Sequence, residues 1–378
     1  MESLTKQMLV AAATGKPLEV PSLSETKISF VTKNCLAAML CYLSEQGEGT
    51  ALCSSERQLK GAGLTAKVLT KTLISAMTQI IDHCQNRVEK IVLLKGISIS
   101  EQYYPAPELR PMRDIDFLVQ KKDLEKVEQI LFQLGYQQES DLSKSFFADY
   151  HHSMPFFNSE TGVWVEVHTG LFSGKKSIPN SQVFEIENVL SNLVKSTFNE
   201  REVYRLSDEY QLLYTAAHWC LEFKEFGGSI ALFDIIYLIK NSPALDWDSV
   251  ILSIDSDELG WCLYVALGYL KDHHILDINE KLFNKFKYQN KIGDKIKSRI
   301  LFNIIDKYIV AESPFGNVLT PGNVGIIWYT LLRGSQPLLN ALSIPFNLVF
   351  PPNNPRRFNL KYQVQRLRNC FGLSVHER

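Results

Sequence analysis

Residues 91–120 read IVLLKGISISEQYYPAPELRPMRDIDFLVQ, a segment framed by two short apolar runs. Ile91 to Leu94 is brief and β-branched enough to be a buried strand. Lys95-Gly96 ends that run, and Ile97 to Tyr104 reads as a helix stopped by Pro105 and Pro107. The second run, Ile115 to Val119, has Asp114 at its edge and Asp116 within it. A side-chain period of two puts both aspartates on one face of the strand, about 7 Å apart at Cα. Neighbouring carboxylates repel, so the pair favours a cation, and oxygen-seeking Mg2+ or Mn2+ is the natural choice.

The turn ahead of them has matching chemistry. With no Cβ, Gly96 lets backbone N–H groups and a helix N-terminus approach an anion closely. Lys95, Arg110 and Arg113 add positive charge where phosphates need it. A phosphate cradle followed by metal carboxylates is the order expected for nucleotide chemistry. LKG, a short helix ending in Tyr-Tyr-Pro, then RPMRDIDFLV, resembles the uncharacterised nucleotidyltransferase family of the DNA polymerase β-like superfamily. In most of that superfamily a Gly-Ser turn precedes an Asp-x-Asp strand, and a later strand supplies a third acid. Here Lys95-Gly96 stands in place of Gly-Ser, as in this family and in the abortive-infection nucleotidyltransferase toxins.

The resemblance covers most of the chain and is sharp at Leu93–Val119 and Val163–His168. It implies an α+β fold, with a small mixed nucleotidyltransferase-type sheet flanked by N-terminal helices and a C-terminal helical region. It also implies metal-dependent transfer of an NMP from an NTP to an acceptor, with release of pyrophosphate. Asp114 and Asp116 would then hold Mg2+ or Mn2+, and Lys95, Gly96, Arg110 and Arg113 the phosphates.

Ser145 to Phe157 and Gly162 to His168 read as an antiparallel hairpin turning at Asn158 to Gly162. In the second strand Trp164, Glu166 and His168 share one face, and Val163, Val165 and Val167 take the other. That alternation places Glu166 in water or in a site. The resemblance selects the site, with Glu166 as third carboxylate, completing the metal shell or taking the acceptor's proton. His151, His152 and His168 match a Tyr-His-His and Glu-x-His pattern of the same family, which implies a role on phosphate or acceptor. Histidines that only hydrogen-bond the sheet fit these positions as well.

The remainder reads mostly as helices. Ile28 to Glu45 has apolar residues at helical spacing, and Leu64 to Asn86 points Val68, Leu69, Leu73, Met77, Ile80 and Ile81 to one side. Lys122 to Leu134 is a helix with Asp123 as a first-turn acid. Ile178 to Lys195 reads as loop and helix, Glu202 to Leu206 as a strand, and Ser207 as the N-cap of a helix carrying His218. The resemblance lets His218 face the nucleotide, whereas its apolar neighbours suit a core histidine. Asp234, the lone acid of Ser229 to Lys240, needs a partner, with Lys224 or Arg205 as candidates. Basic residues at 281–299 and 356–368 would serve a polyanionic acceptor such as tRNA if they met in space. The divisions are residues 1–88, 89–206 and 207–378.

Hydrophobic residues make up 45% of the 378 positions and charged ones 21%, as in a soluble globular protein. A net charge of −1 gives no global attraction to nucleic acid or anionic membranes. The seven scattered cysteines form no CxxC pair, which disfavours structural zinc and suits a reducing cytoplasm. No run approaches the roughly 20 apolar residues that span a bilayer, and the first residues lack a signal peptide's features. The expected partners are an NTP and an acceptor that is a small molecule, a protein or tRNA, with no membrane. Two rivals stand beside this reading: a catalytically inactive nucleotide- or partner-binding protein on the same fold, and a DxD glycosyltransferase, whose product would be a nucleoside diphosphate.

Overall fold

In the computed structural model, seven strands form one mixed sheet ordered β3-β4-β5-β2-β1-β7-β6. They are β1 (Val92–Leu93), β2 (Asp114–Leu118), β3 (Gln137–Gln138), β4 (Phe156–Asn158), β5 (Val163–His168), β6 (Leu193–Phe198) and β7 (Arg201–Leu206). β2 lies at the centre, antiparallel to β1 and parallel to β5. The helices are α1 (Leu4–Thr14), α2 (Glu25–Lys33), α3 (Ala37–Glu45), α4 (Arg57–Cys84), α5 (Lys95–Tyr103), α6 (Leu124–Gln133), α7 (Ile186–Ser191), α8 (Asp208–Glu222), α9 (Ile230–Asn241), α10 (Trp247–Leu252), α11 (Asp257–Asp272) and α12 (Glu280–Lys285). The architecture is therefore α+β. The structure describes residues 3–19, 22–46, 57–140, 147, 150–172, 181–222 and 228–285, with positions 299, 302, 303, 305, 306 and 359.

Alternation along β2 and β5 sorts the sheet's two faces. Ile115, Phe117, Val163, Val165 and Val167 point to one side, where they pack with Met77, Ile80 and Ile81 of α4 and with Val127, Ile130 and Leu131 of α6. Each such buried side chain stabilises the fold by about 1.5–3 kcal/mol. Leu118 and Leu206 belong to the other, larger core, which runs unbroken from α1 and α3 to α8, α9 and α11. The first and last described helices thus share one interior. Lys240 Nζ donates to the carbonyl of Ala12 at 3.0 Å, and Lys6 Nζ lies 2.8 Å from His273 Nδ1.

Several expectations need correction. Residues 28–45 form two helices, because Cys35 adopts φ 57, which ends one helix before the next begins. α4 starts earlier than expected, and its first half projects past the sheet, leaving Leu64, Val68 and Leu69 exposed at 64%, 56% and 54%. The hairpin's first strand shrinks to Phe156–Asn158, with an isolated bridge from His152 to His168. Leu193–Phe198, expected to be helical in part, is the edge strand β6. Asp123, expected as a first-turn acid, stands at the N-cap position just before α6; it is buried, accepts the Glu89 N–H at 3.2 Å and pairs with Lys126 at 2.8 Å.

Ser207 behaves as expected, its Oγ accepting from the N–H of Tyr210 at 3.4 Å. Cys41 is disulfide-bonded, whereas a reducing setting is the expectation, and Cys35, Cys84, Cys220 and Cys262 are not in disulfides. Most of the basic positions at 281–299, and all those at 356–368, lie outside the described residues. Lys285 is described and pairs with Asp248 at 3.1 Å. Among the described residues, no helix is long and apolar enough to cross a membrane.

Candidate active site

Parallel pairing of β2 with β5 sets Asp116 opposite Glu166 and Asp114 opposite Trp164. Side chains opposite one another on paired strands are neighbours, so the register itself brings the two carboxylates together. β1 supplies the third component. Its end is tied to β2 by the N–H of Leu94 on the Asp116 carbonyl at 3.1 Å, and the chain then turns into α5 at Lys95. Lys95 takes φ 43, a left-handed conformation that costs a lysine about 1–3 kcal/mol. The turn sends its ammonium back over the strands, 2.8 Å from Asp116 Oδ1 and 4.0 Å from Glu166 Oε2.

His168, fully buried, lies 2.8 Å through Nε2 from Asp116 Oδ1 and 3.7 Å from Glu166 Oε2. An ionised carboxylate only accepts, so this imidazole donates through Nε2. Burial lowers the His168 pKa, but the hydrogen bond to Asp116 and the nearby Glu166 carboxylate outweigh it and hold the value above the ordinary one. Burial would raise Asp116, yet the Lys95 charge and the His168 hydrogen bond keep its carboxyl strongly acidic. For Lys95, burial is outweighed by Asp116, and the ammonium stays charged.

His152 approaches from the segment bridged to β5. Its Nδ1 lies 2.7 Å from the Ser153 carbonyl, which can only accept, so Nδ1 carries the proton. Burial pushes its pKa down, against the pull of Glu166, which favours the neutral ring. The bare Nε2 then faces Glu166 Oε2 at 3.8 Å. His151 and His152 each place their rings 5.3 Å from that of His168.

Not every expected residue joins this cluster. Asp116, Glu166 and His168 offer ligand atoms within 4.8 Å of one another, and Asp114 stands outside that compact set at the start of β2. Arg113 is exposed beside it. Arg110 is engaged with Asp234 through Nε at 2.9 Å and Nη2 at 2.8 Å, so Asp234 pairs with Arg110 rather than with Arg205, while Lys224 lies outside the described residues. Buried Arg205 instead clamps α5 through Glu101 and the Ser98 carbonyl.

Gly96 has a packing reason beyond anion approach. A Cβ there would lie 2.7 Å from Arg110 Nη1 and 2.8 Å from Met112 Cγ. With Arg110 pinned to Asp234, relief is limited, so Gly96→Ala is expected to cost about 1–3 kcal/mol in urea unfolding. Sequence reasoning missed Met112 as the lid on this glycine. It also missed Tyr214 and Thr215 of α8, which line a cavity of about 50 Å³ with Lys95 and half-buried His218. Their only signal was recurrence at helical spacing beside His218.

The donor set suits a hard divalent ion. Asp116 and Glu166 provide oxygens on one face, and His168, as a donor to Asp116, orients that carboxylate in the manner of an outer-shell histidine. No curated protein and no solved structure matches the chain. The family model described as "Uncharacterised nucleotidyltransferase" matches residues 28–273, more than half of the chain and all of the sheet. By that match the chain belongs to the uncharacterised nucleotidyltransferase family.

Proposed function

We propose that the protein moves an NMP from an NTP to an acceptor and releases pyrophosphate, using Mg2+ or Mn2+. The observation that carries this reading is the Asp116–Glu166 register pair with Lys95 turned onto it. Asp116 and Glu166, with Asp114 two positions back on the same face, would hold the cation. Bound there, it would neutralise triphosphate charge and stabilise the charge that develops during in-line displacement.

Lys95 has two duties in this scheme. Without a cation it balances the carboxylates; with nucleotide bound, its ammonium and Arg113 hold phosphate oxygens. The Gly96 turn and the start of α5 present backbone N–H groups to the same phosphates. Arg110 contributes by position, fixing the turn through Asp234. His168 orients Asp116, while His151 packs against its ring.

His152 Nε2 is the free base beside Glu166 and accepts the acceptor's proton. The acceptor oxygen forms the new bond to the α-phosphorus. The bond from that phosphorus to the bridging oxygen breaks, and pyrophosphate leaves with the electron pair. The location that suits NTP use is the cytoplasm, although the Cys41 disulfide is a bond that a reducing compartment would open.

Calorimetric titration of each NTP with Mg2+ tests the site directly. Wild type is expected to bind one NTP in a metal-dependent way, and the Asp114→Ala/Asp116→Ala variant to lose that binding. Metal-independent binding, or equal binding by the variant, would remove the carboxylates from the nucleotide site. No binding by folded wild type would favour the non-catalytic reading.

A further inference from the structure

A groove of about 1040 Å³ lies between α2, the start of α3 and the projecting half of α4, with Pro111 and Met112 closing one end. Its volume is at the upper end for small-molecule pockets. We propose that this groove is the acceptor site, and that the acceptor is an amphiphilic small molecule with an apolar chain and an anionic head. The inference rests on the transferase reading and deepens it.

Position is the first argument. Met112 lines the groove and also covers Gly96, so the two sites share a wall. Met112 lies two residues before Asp114, at the edge of the sheet where β2 begins and β1 gives way to Lys95. Arg113 is near enough to Cys35, another lining residue, for its charge to act on the thiol. The Met112 part of the groove therefore adjoins the Gly96 turn.

Chemistry is the second. Ala62, Ala66 and Leu69 give α4 an apolar wall, facing Ile28 across the cleft. Leu69 keeps 54% of its surface in solvent, an exposure that an apolar ligand would remove. The charges among the described lining residues are Lys33 and Arg57 against Glu25, a balance that favours an anion. No aromatic side chain is present among these residues to stack a nucleobase, so a nucleic acid strand fits poorly.

The full chain is titrated with the apolar anion 8-anilinonaphthalene-1-sulfonate, read by fluorescence. Saturable binding is expected, displaced by dodecyl phosphate and not by inorganic phosphate. Ala66→Phe should weaken it about tenfold by filling the cleft, and Lys33→Gln/Arg57→Gln about fivefold by removing the head's counter-charges. Both variants should bind NTP with Mg2+ as wild type does. The proposal is overturned if the double variant, whose changes lie outside the core, leaves dye affinity unchanged, or if inorganic phosphate alone displaces the dye. Dye and dodecyl phosphate binding without any NTP binding would sink the transferase reading and leave the groove as an amphiphile site.

Discussion

Asp116→Asn is expected to abolish metal-dependent NTP binding, to lower turnover by about 10²–10³-fold or more, and to weaken the fold at the same time. The last part goes against carboxylate repulsion taken alone, by which losing an aspartate would relieve the pair. In the structure the carboxylate is buried and neutralised by Lys95 at 2.8 Å and His168 at 2.8 Å. Removing its charge leaves an ammonium without its closest partner. Breaking a fully buried pair costs about 3–5 kcal/mol, and 18% exposure of Lys95 reduces this to about 2 kcal/mol.

Glu166, whose side chain is 23% exposed, should lose activity as Gln with less than about 1 kcal/mol of destabilisation. Urea unfolding and calorimetry on both variants check this contrast. Tight Mg2+–NTP binding by Asp116→Asn would place the site elsewhere.

The cluster also gives a signed pH dependence. Asp116, held below its ordinary 3.8, stabilises fully above about pH 4, and the contribution is lost as pH falls towards the folded value. His168, held above its ordinary 6.5, contributes fully below about pH 6.5 and loses that contribution as pH rises through its folded value. Urea midpoints should therefore be highest between about pH 4 and 6.5 and flatten in Asp116→Asn.

Arg110→Met is the second large effect, and it acts on stability. Asp234 is 3% exposed and receives both prongs of the guanidinium, plus the Tyr104 hydroxyl at 2.7 Å. Without Arg110 that charge keeps a single side-chain donor among those described, and the expected cost is about 3–5 kcal/mol. Nucleotide affinity should fall as well, since Arg110 and Met112 together hold the Gly96 turn in place. Adding Asp234→Leu should recover much of the lost stability by replacing an orphaned charge with an apolar side chain. A urea double-mutant cycle measures this. A loss below about 1 kcal/mol in the single variant would mean that solvent reaches Asp234.

The centre of the molecule was legible because its signals are local. Alternation in DIDFL and VWVEVH sets both strands and their faces, and parallel register then pairs Asp116 with Glu166. The illegible parts depend on distant contacts or on missing contrast. Arg110 and Asp234 are 124 positions apart, so no local pattern joins them. β6 is an edge strand with only Phe198 buried, and it carries little apolar alternation to distinguish it from a loop. Leu64, Val68 and Leu69 have core spacing but stay more than half exposed, which periodicity cannot report. The helix break at Cys35 comes from backbone conformation at a residue type with no strong breaking tendency.

The union of α1 with α9 has a consequence for synthesis. Leu4–Thr14 leaves the ribosome well before Ile230–Asn241, on which it packs. At ordinary translation rates the apolar face of α1 waits on the order of tens of seconds for its partner. During that interval Met8 and Leu9, both fully covered in the finished fold, are exposed to whatever else is sticky in the cell. Recombinant yield should therefore respond to chaperone supply and to slower, cooler expression more than the protein's final stability would suggest.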